Sequence, residues 1–331
     1  MAKKYFVSNL PKFVGEEIED VFLVKDLIDR NTKDGQGYLE VVIADLSGSQ
    51  IARVFDNVDE MKVKIEKGRV QKLKLSIYQY SGNQVGIKVL GAERASSYDV
   101  RDFIPAGPKD PEKLFGELKK YINSIKNPYL HELLKRIFLS DRTEEDKNFK
   151  DRFLIAPAAK QNHHDYMGGL IEHTLNVVRA ADSLTKMYES IDRDLIITGA
   201  LLHDIGKVYE YEFTPDIDTS DIGRLLGHII IGFDIVNKKI KEIEFMRKFP
   251  DELKMKVLHM VLSHHGELSF GSPVKPAFLE AQILHFLDDL DAKADMFRKA
   301  YDMRSDTNRR WSEYLNPLKR SVYLGEPEDE D

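Results

Sequence analysis

Leu201-Leu202-His203-Asp204-Ile205-Gly206-Lys207 ends an apolar run that begins at Leu195. A histidine and an aspartate follow where a core would otherwise continue. Polar groups sunk into an apolar segment must be hydrogen-bonded, paired or metal-bound, so this stretch requires partners from elsewhere in the chain. The candidates come in order: His163-His164, His173, His228, His264-His265, His285, and the acidic set Asp288, Asp289 and Asp291. Nine of the ten histidines lie between 163 and 285, which concentrates this chemistry in one part of the chain.

A chain of 331 residues, 42% apolar, is long enough for two ordinary domains. No apolar run reaches the roughly 18 to 20 residues that span a bilayer. The start, Met1 to Phe6, is too short and polar for a signal peptide, so a cytoplasmic protein without membrane partners is expected. Zero cysteines exclude disulfides and thiolate ligands, leaving imidazole and carboxylate for any metal. The net charge of −7 argues against global affinity for nucleic acid, but the charge is uneven. Residues 1–95 carry 15 Lys/Arg against 14 Asp/Glu, and the remainder 34 against 42.

Residues 18–94 read as short strands. Ile18–Leu27 is one; Tyr38–Asp45 and Gln50–Phe55 form a hairpin, and Arg69–Tyr80 and Gln84–Leu90 another around Ser81-Gly82-Asn83. A helix over Asn57–Lys67 falls between strands three and four. Five strands with a helix there predict an OB-fold barrel over 1–95, commonly a single-strand nucleic-acid binder. Lys62, Lys64, Lys67, Arg69, Lys72 and Lys74 cluster in sequence with only Glu66 against them. Tyr38, Arg53, Phe55, Lys72, Lys74, Tyr78 and Tyr80 are the candidates for phosphate attraction and base stacking.

Ser96 to Pro111 reads as a linker. Helical periodicity takes over from Glu112, with helices expected over Tyr129–Ser140, Gly168–Tyr188, Arg193–His203, Gly223–Ile243, Pro250–Ser263 and Pro276–Arg304. No strand is expected after residue 112, so 112–315 is an all-α domain. Residues 316–331, ending in Glu326 to Asp331, read as an acidic, disordered tail.

His173, His203-Asp204, His228, His264-His265 and a later aspartate each fall on a separate predicted helix or helix end. Imidazoles around a shared carboxylate suit Mn²⁺, Fe²⁺, Zn²⁺, Ni²⁺ or Mg²⁺. If Asp204 bridges, one ion takes His173, His203, Asp204 and Asp288, and a second takes Asp204, His228, His264 and His265. Two ions so clamped would favour in-line displacement at phosphorus. On a helix Asp288 and Asp291 share a face, which makes Asp291 a candidate to orient an imidazole. Glu280 and His285 are candidates of the same kind. His163 and His164 are candidates to contact phosphate, and Lys207 to stabilise charge on a scissile phosphate.

The ordered set resembles the HD superfamily of metal-dependent phosphohydrolases. Longer stretches resemble one branch, the YhaM-type bacterial 3′→5′ exoribonucleases: Ala156 to Lys160, His163-His164 through Gly168-Gly169-Leu170 to His173-Thr174, His203 to Lys207, Leu225 to Ile229, Leu262 to Gly266, Gly271 to Val274, and Glu280 to His285 with Leu287 to Lys293. That resemblance implies an OB-fold followed by an HD domain and two divalent ions, Mn²⁺ first, with Mg²⁺, Co²⁺, Fe²⁺, Ni²⁺ or Zn²⁺ as alternatives. It implies release of nucleoside 5′-monophosphates from single-stranded RNA, with single-stranded DNA an alternative, and Asp204, Lys207 and His203 in the catalytic roles. The alternatives are a phosphodiesterase or phosphatase on free or cyclic nucleotides, a diiron oxygenase, and a nucleic-acid-binding protein without turnover. A homo-oligomer whose basic faces line a channel is one way a net acidic chain would handle a polyanion.

Overall fold

The alternation of the N-terminal strands closes on itself. In the computed structural model the described residues are 3–32, 34–80, 84–103, 107–160, 164–212, 218–302 and 309–326. Strands β1 (Glu17–Asn31), β2 (Gly37–Asp45), β3 (Gly48–Val54), β4 (Val70–Tyr80) and β5 (Gln84–Arg94) form a closed barrel in the order β1-β2-β3-β5-β4. Helix α1 (Val58–Lys64) lies between β3 and β4 in the chain, as the sequence predicts. Alternate residues point inward: Phe22 and Val24, Leu39, Val41 and Ile43, Ala52 and Val54, Leu73, Leu75 and Ile77, Ile87 and Val89. A 3₁₀ turn at Val7–Phe13 adds Val7 and Leu10 to this core. The barrel is OB-like. β1 runs four residues beyond the expected Leu27 because a bulge between Val24 and Asp26 shifts its phase.

Tyr38 and Phe55 sit opposite each other outside the core, ring centroids 5.5 Å apart. Tyr78 lies over Gly86, where a Cβ would fall 2.5 Å from the ring, and Tyr80 is exposed. The lysine row differs from its appearance in sequence. Lys62 pairs with Asp29, Lys64 with Glu60, Lys67 with Asp26, Lys72 with Glu19 and Lys74 with Glu17. All but Glu60 come from β1, which folding lays alongside, so the row is largely neutralised. Arg53 is likewise paired, 3.2 Å from Glu40.

The expected linker belongs in part to the barrel. Phe103 is buried against Leu23, Ala44 and Val70, and the Asp102 carbonyl accepts from the Leu46 N–H at 2.8 Å. Contacts divide the chain into a unit over Met1–Ala106 and a second over Gly107–Glu212 and Asp218–Asp331.

The second unit consists mainly of helices α2 (Pro111–Ser124), α3 (Pro128–Phe138), α4 (Glu144–Ile155), α5 (Gly169–Thr185), α6 (Arg193–Leu202), α7 (Lys207–Glu210), α8 (Asp221–Glu244), α9 (Asp251–Ser263) and α10 (Leu279–Asp302). Asp110 and Asn127 cap α2 and α3, each followed by the first-turn proline that such caps favour. α5 is apolar nearly all round (Leu170, Ile171, Leu175, Val177, Val178) and packs against α2, α4, α6 and α10, as a central helix must. α4 lies outside the helices expected from periodicity, because its charged sequence anchors only Phe149, Phe153 and Leu154. The expectation of no strand after 112 is corrected by a two-residue pair, β6 (Tyr211–Glu212) with β7 (Asp218–Thr219), too short to leave any alternation.

The predicted tail is also corrected over 316–326. Leu318, Val322 and Leu324 are buried against Met296, Phe297 and Ala300 of α10. Trp311 bridges to Tyr323 and Leu315 to Arg320. The final acidic residues, 327–331, lie outside the described residues. Among the described residues no helix is long and apolar enough to cross a membrane.

Leu75 is fully buried at the centre of the barrel. Leu75→Ala is expected to destabilise the barrel by about 2–5 kcal/mol, read from the midpoint of denaturant unfolding. A loss near zero would contradict this core.

Candidate metal centre

Five segments of the helical unit converge on one buried point. His173 projects from α5, itself wholly buried. His203 ends α6, its N–H donating to the Gly199 carbonyl at 2.9 Å, and Asp204 follows in the turn before α7. Gly206 is required there, since a Cβ would lie 1.9 Å from the His228 carbonyl. α8 breaks at Gly227 (φ 70°, ψ 156°), a conformation glycine adopts freely, and becomes helical again at His228. His264 closes α9 with His265 next to it, and α10 contributes Asp288 and Asp291 from one face.

Asp204 divides its two oxygens between two groups of imidazoles. Oδ2 lies 3.4 Å from both His173 Nε2 and His203 Nε2. Asp288 Oδ1 lies 3.2 Å from His173 Nε2 and 3.8 Å from His203 Nε2. On the other side, Asp204 Oδ1 lies 3.4 Å from His264 Nε2 and 3.6 Å from His228 Nε2. The ligand atoms of His173, His203, Asp204 and Asp288 all lie within 4.8 Å of one another, as do those of Asp204, His228, His264 and His265. Two ligands about 2.1 Å from one ion lie roughly 3.0–3.4 Å apart, so these spacings suit shared coordination better than direct hydrogen bonding.

The other side of each ring supports the same fit. His203 Nδ1 faces the Ala200 carbonyl at 2.9 Å, His264 Nδ1 the Val261 carbonyl at 2.8 Å and His265 Nδ1 the Phe270 carbonyl at 2.8 Å. His228 Nδ1 faces Glu210 Oε1 at 3.1 Å, and His173 Nδ1 faces Asp291 Oδ2 at 2.7 Å. Every one of these acceptors requires Nδ1 to carry the hydrogen, which leaves Nε2 as the ligand atom. Asp204 Oδ1, His228 Nε2 and His264 Nε2 are buried with no hydrogen-bond partner among the described residues. Orphaned buried polar atoms are costly, and a divalent cation would satisfy all three.

Electrostatics follow from this crowding. Burial would raise the Asp204 carboxyl, but Lys207, His203 and His173 hold it well below the carboxylate range. Burial would lower His173, yet the neighbouring carboxylates of Asp204, Asp288 and Asp291 hold it well above the usual imidazole value. His265 is pushed down to about 4 by burial and by His264. Asp288 is likewise held low against burial by His173 and His203.

The remaining candidates separate. Lys207 opens α7 with Nζ 2.6 Å from Asp204 Oδ2, so its charge balances the central carboxylate. His164 reaches Asp291 Oδ2 at 3.0 Å, whereas His163 lies outside the described residues. Glu280 is not in the cluster; it accepts from the Asp192 N–H at 2.8 Å near the start of α6. His285 bonds the His264 carbonyl at 3.0 Å and so touches the backbone of a candidate ligand. Asp289 is half-buried and pairs with Lys293. Sequence reasoning misses Glu210, which takes both the ring and the backbone N–H of His228. A lone glutamate after the His203-Asp204 motif carries no signal of that.

Coordination through His173 Nε2 must expel the proton that its raised pKa retains, whereas Asp204, Asp288 and His265 have none to lose near neutrality. Mn²⁺ affinity should therefore rise with pH, with net release of protons on binding at pH 7. Calorimetry in two buffers of different ionisation enthalpy measures that release, and zero release would contradict the assignment.

Residues 170–293 match the family model of the HD domain. The seven residues of the two groups around Asp204 all lie within that span, on helices or in the turns that follow them. The chain is thus an OB-like barrel followed by a helical region containing an HD domain, the fold of a superfamily of metal-dependent phosphohydrolases.

Proposed function

We propose that the protein is a 3′→5′ exoribonuclease that hydrolyses single-stranded RNA to nucleoside 5′-monophosphates at a two-ion HD centre, with single-stranded DNA as an alternative strand. The observation that carries this reading is the Asp204 carboxylate facing two imidazole groups at once in a chain that also holds an OB-like barrel. Two divalent ions held there, Mn²⁺ being the preferred pair, would supply Lewis acidity for phosphodiester hydrolysis. The residues do the rest. His173, His203 and Asp288 present one ligand face and His228, His264 and His265 the other, each imidazole locked through Nδ1. Lys207 offsets the charge of Asp204 and is the cation nearest to a phosphate brought there. On the barrel, the opposed Tyr38 and Phe55 rings offer a base-stacking surface.

A second reading, a phosphodiesterase on free or cyclic nucleotides, is favoured by the ion pairs that neutralise Lys72, Lys74 and their neighbours. Joint substitution Tyr38→Ala and Phe55→Ala separates the two. Loss of stacking worth about 1–3 kcal/mol per base should raise KM for a long RNA and leave turnover of bis-p-nitrophenyl phosphate unchanged. A KM for RNA unchanged from wild type would favour the small-ester reading.

With Mn²⁺, a 5′-labelled RNA should shorten progressively while nucleoside 5′-monophosphates accumulate. Asp204→Asn should lower kcat on the order of 10³-fold and remove both metal sites. Internal cleavage, or activity surviving Asp204→Asn, would sink the assignment.

A further inference from the structure

A buried polar chain runs from the first ligand group to the surface. The Tyr166 hydroxyl donates to Glu172 Oε2 at 2.8 Å, and its oxygen also lies 2.8 Å from His164 Nδ1. His164 Nε2 meets Asp291 Oδ2 at 3.0 Å, the same oxygen that holds His173 Nδ1 at 2.7 Å. At the far end Glu172 Oε1 pairs with Lys109 Nζ at 2.8 Å, and the lysine side chain is 47% exposed. His164, Tyr166 and Glu172 are all buried.

The middle of the chain is held under strain. His164 has φ 43°, a left-handed conformation that costs a non-glycine residue. Its N–H donates to Asp295 Oδ2 at 2.8 Å, and its carbonyl accepts from the Ala158 N–H at 3.0 Å. A Cβ on Gly169 would sit 2.0 Å from that carbonyl, so the helix start is shaped around it. Such a conformation persists only where the surroundings over-determine it, and it clusters at functional sites. Stability alone gives no reason for the arrangement, since buried polar networks are often replaceable by apolar packing at no loss. What it does fix is the oxygen against which His173 is oriented.

We infer that Lys109, Glu172, Tyr166 and His164 are positioning residues for the His173 ligand group, acting through Asp291 on the direction of His173 Nε2. Lys109, His164 and Tyr166 all precede the 170–293 match, so this support comes from chain outside the HD domain. The inference rests on the metal reading of the centre.

The test uses the full chain and Mn²⁺ alone, titrated by calorimetry. The wild type should bind two ions, and His265→Ala should remove the event that belongs to the other group. Tyr166→Phe keeps the ring and deletes one hydroxyl. It should weaken the His173 event about 10–100-fold, the range for losing an outer hydrogen-bond partner, and leave the second event unchanged. Lys109→Met, at the exposed end of the chain of contacts, should shift the same event in the same direction by less. No change in either variant, or equal weakening of both events, would overturn the inference. A wild type that binds no Mn²⁺ would overturn the metal centre and this inference together, an outcome distinct from a normal wild type with unaltered variants.

Discussion

The constraint on which the helical unit depends is a carboxylate that cannot be buried alone. Asp204 is 2% exposed, and its two oxygens face different sets of imidazoles. An isolated buried carboxylate costs far more than a domain's net stability. Its compensation must come from neighbours placed within a few ångströms, and no single helix can supply them. α5, α6, α8, α9 and α10 each bring one side chain or a pair to this point, and Lys207 closes the remaining side. The topology of the bundle is therefore tied to the electrostatics of its centre. A helix that drifted by one residue would rotate its ligand by about 100° and leave the carboxylate uncompensated.

Local chain physics explains why histidines stand at helix ends here. The last carbonyls of an α-helix lack intrahelical partners. His203 and His264 each follow the last residue of a helix and return Nδ1 to the carbonyl three residues back, that of Ala200 and of Val261. One hydrogen bond thus satisfies an orphan carbonyl, fixes the ring rotation and selects the tautomer with Nε2 facing the centre. His228 is arranged differently because it begins a helical segment after Gly227, where backbone N–H groups are the orphans. Glu210 serves both its backbone and its ring. In each case the partner that ends or begins the helix also aims the ligand.

These differences decide what was legible in the sequence. Residue type and order sufficed for the cluster, because histidines and aspartates in otherwise apolar helices are too costly to bury unless they converge on a shared partner. The alternation of Leu39, Val41 and Ile43 or Leu73, Leu75 and Ile77 likewise carried the barrel. What could not be read were relations between distant segments. The lysines from 62 to 74 are close together in sequence, but Glu17, Glu19, Asp26 and Asp29 meet them only once β1 has paired or packed beside them. Glu280 stands on the same helix as Asp288, yet two turns of rise carry it to the start of α6. The acidic C-terminal composition hid Leu318, Val322 and Leu324, which are apolar enough to bury but too few to form a pattern.

Asp204 Oδ1, His228 Nε2 and His264 Nε2 each lack a hydrogen-bond partner among the described residues, at about 1–3 kcal/mol apiece when a polar group is left unsatisfied. Together that is a large share of the roughly 5–15 kcal/mol by which a domain is typically stable. A fold selected only for stability would have apolar side chains at these positions. The surrounding core instead accepts the cost, with Ile196, Ile197, Leu201, Val257 and Val261 wholly or almost wholly buried on the helices that carry the ligands. The apolar packing of α6 and α9 and the polar cluster at their ends are therefore two halves of one arrangement, in which hydrophobic burial holds in place donors that would otherwise separate.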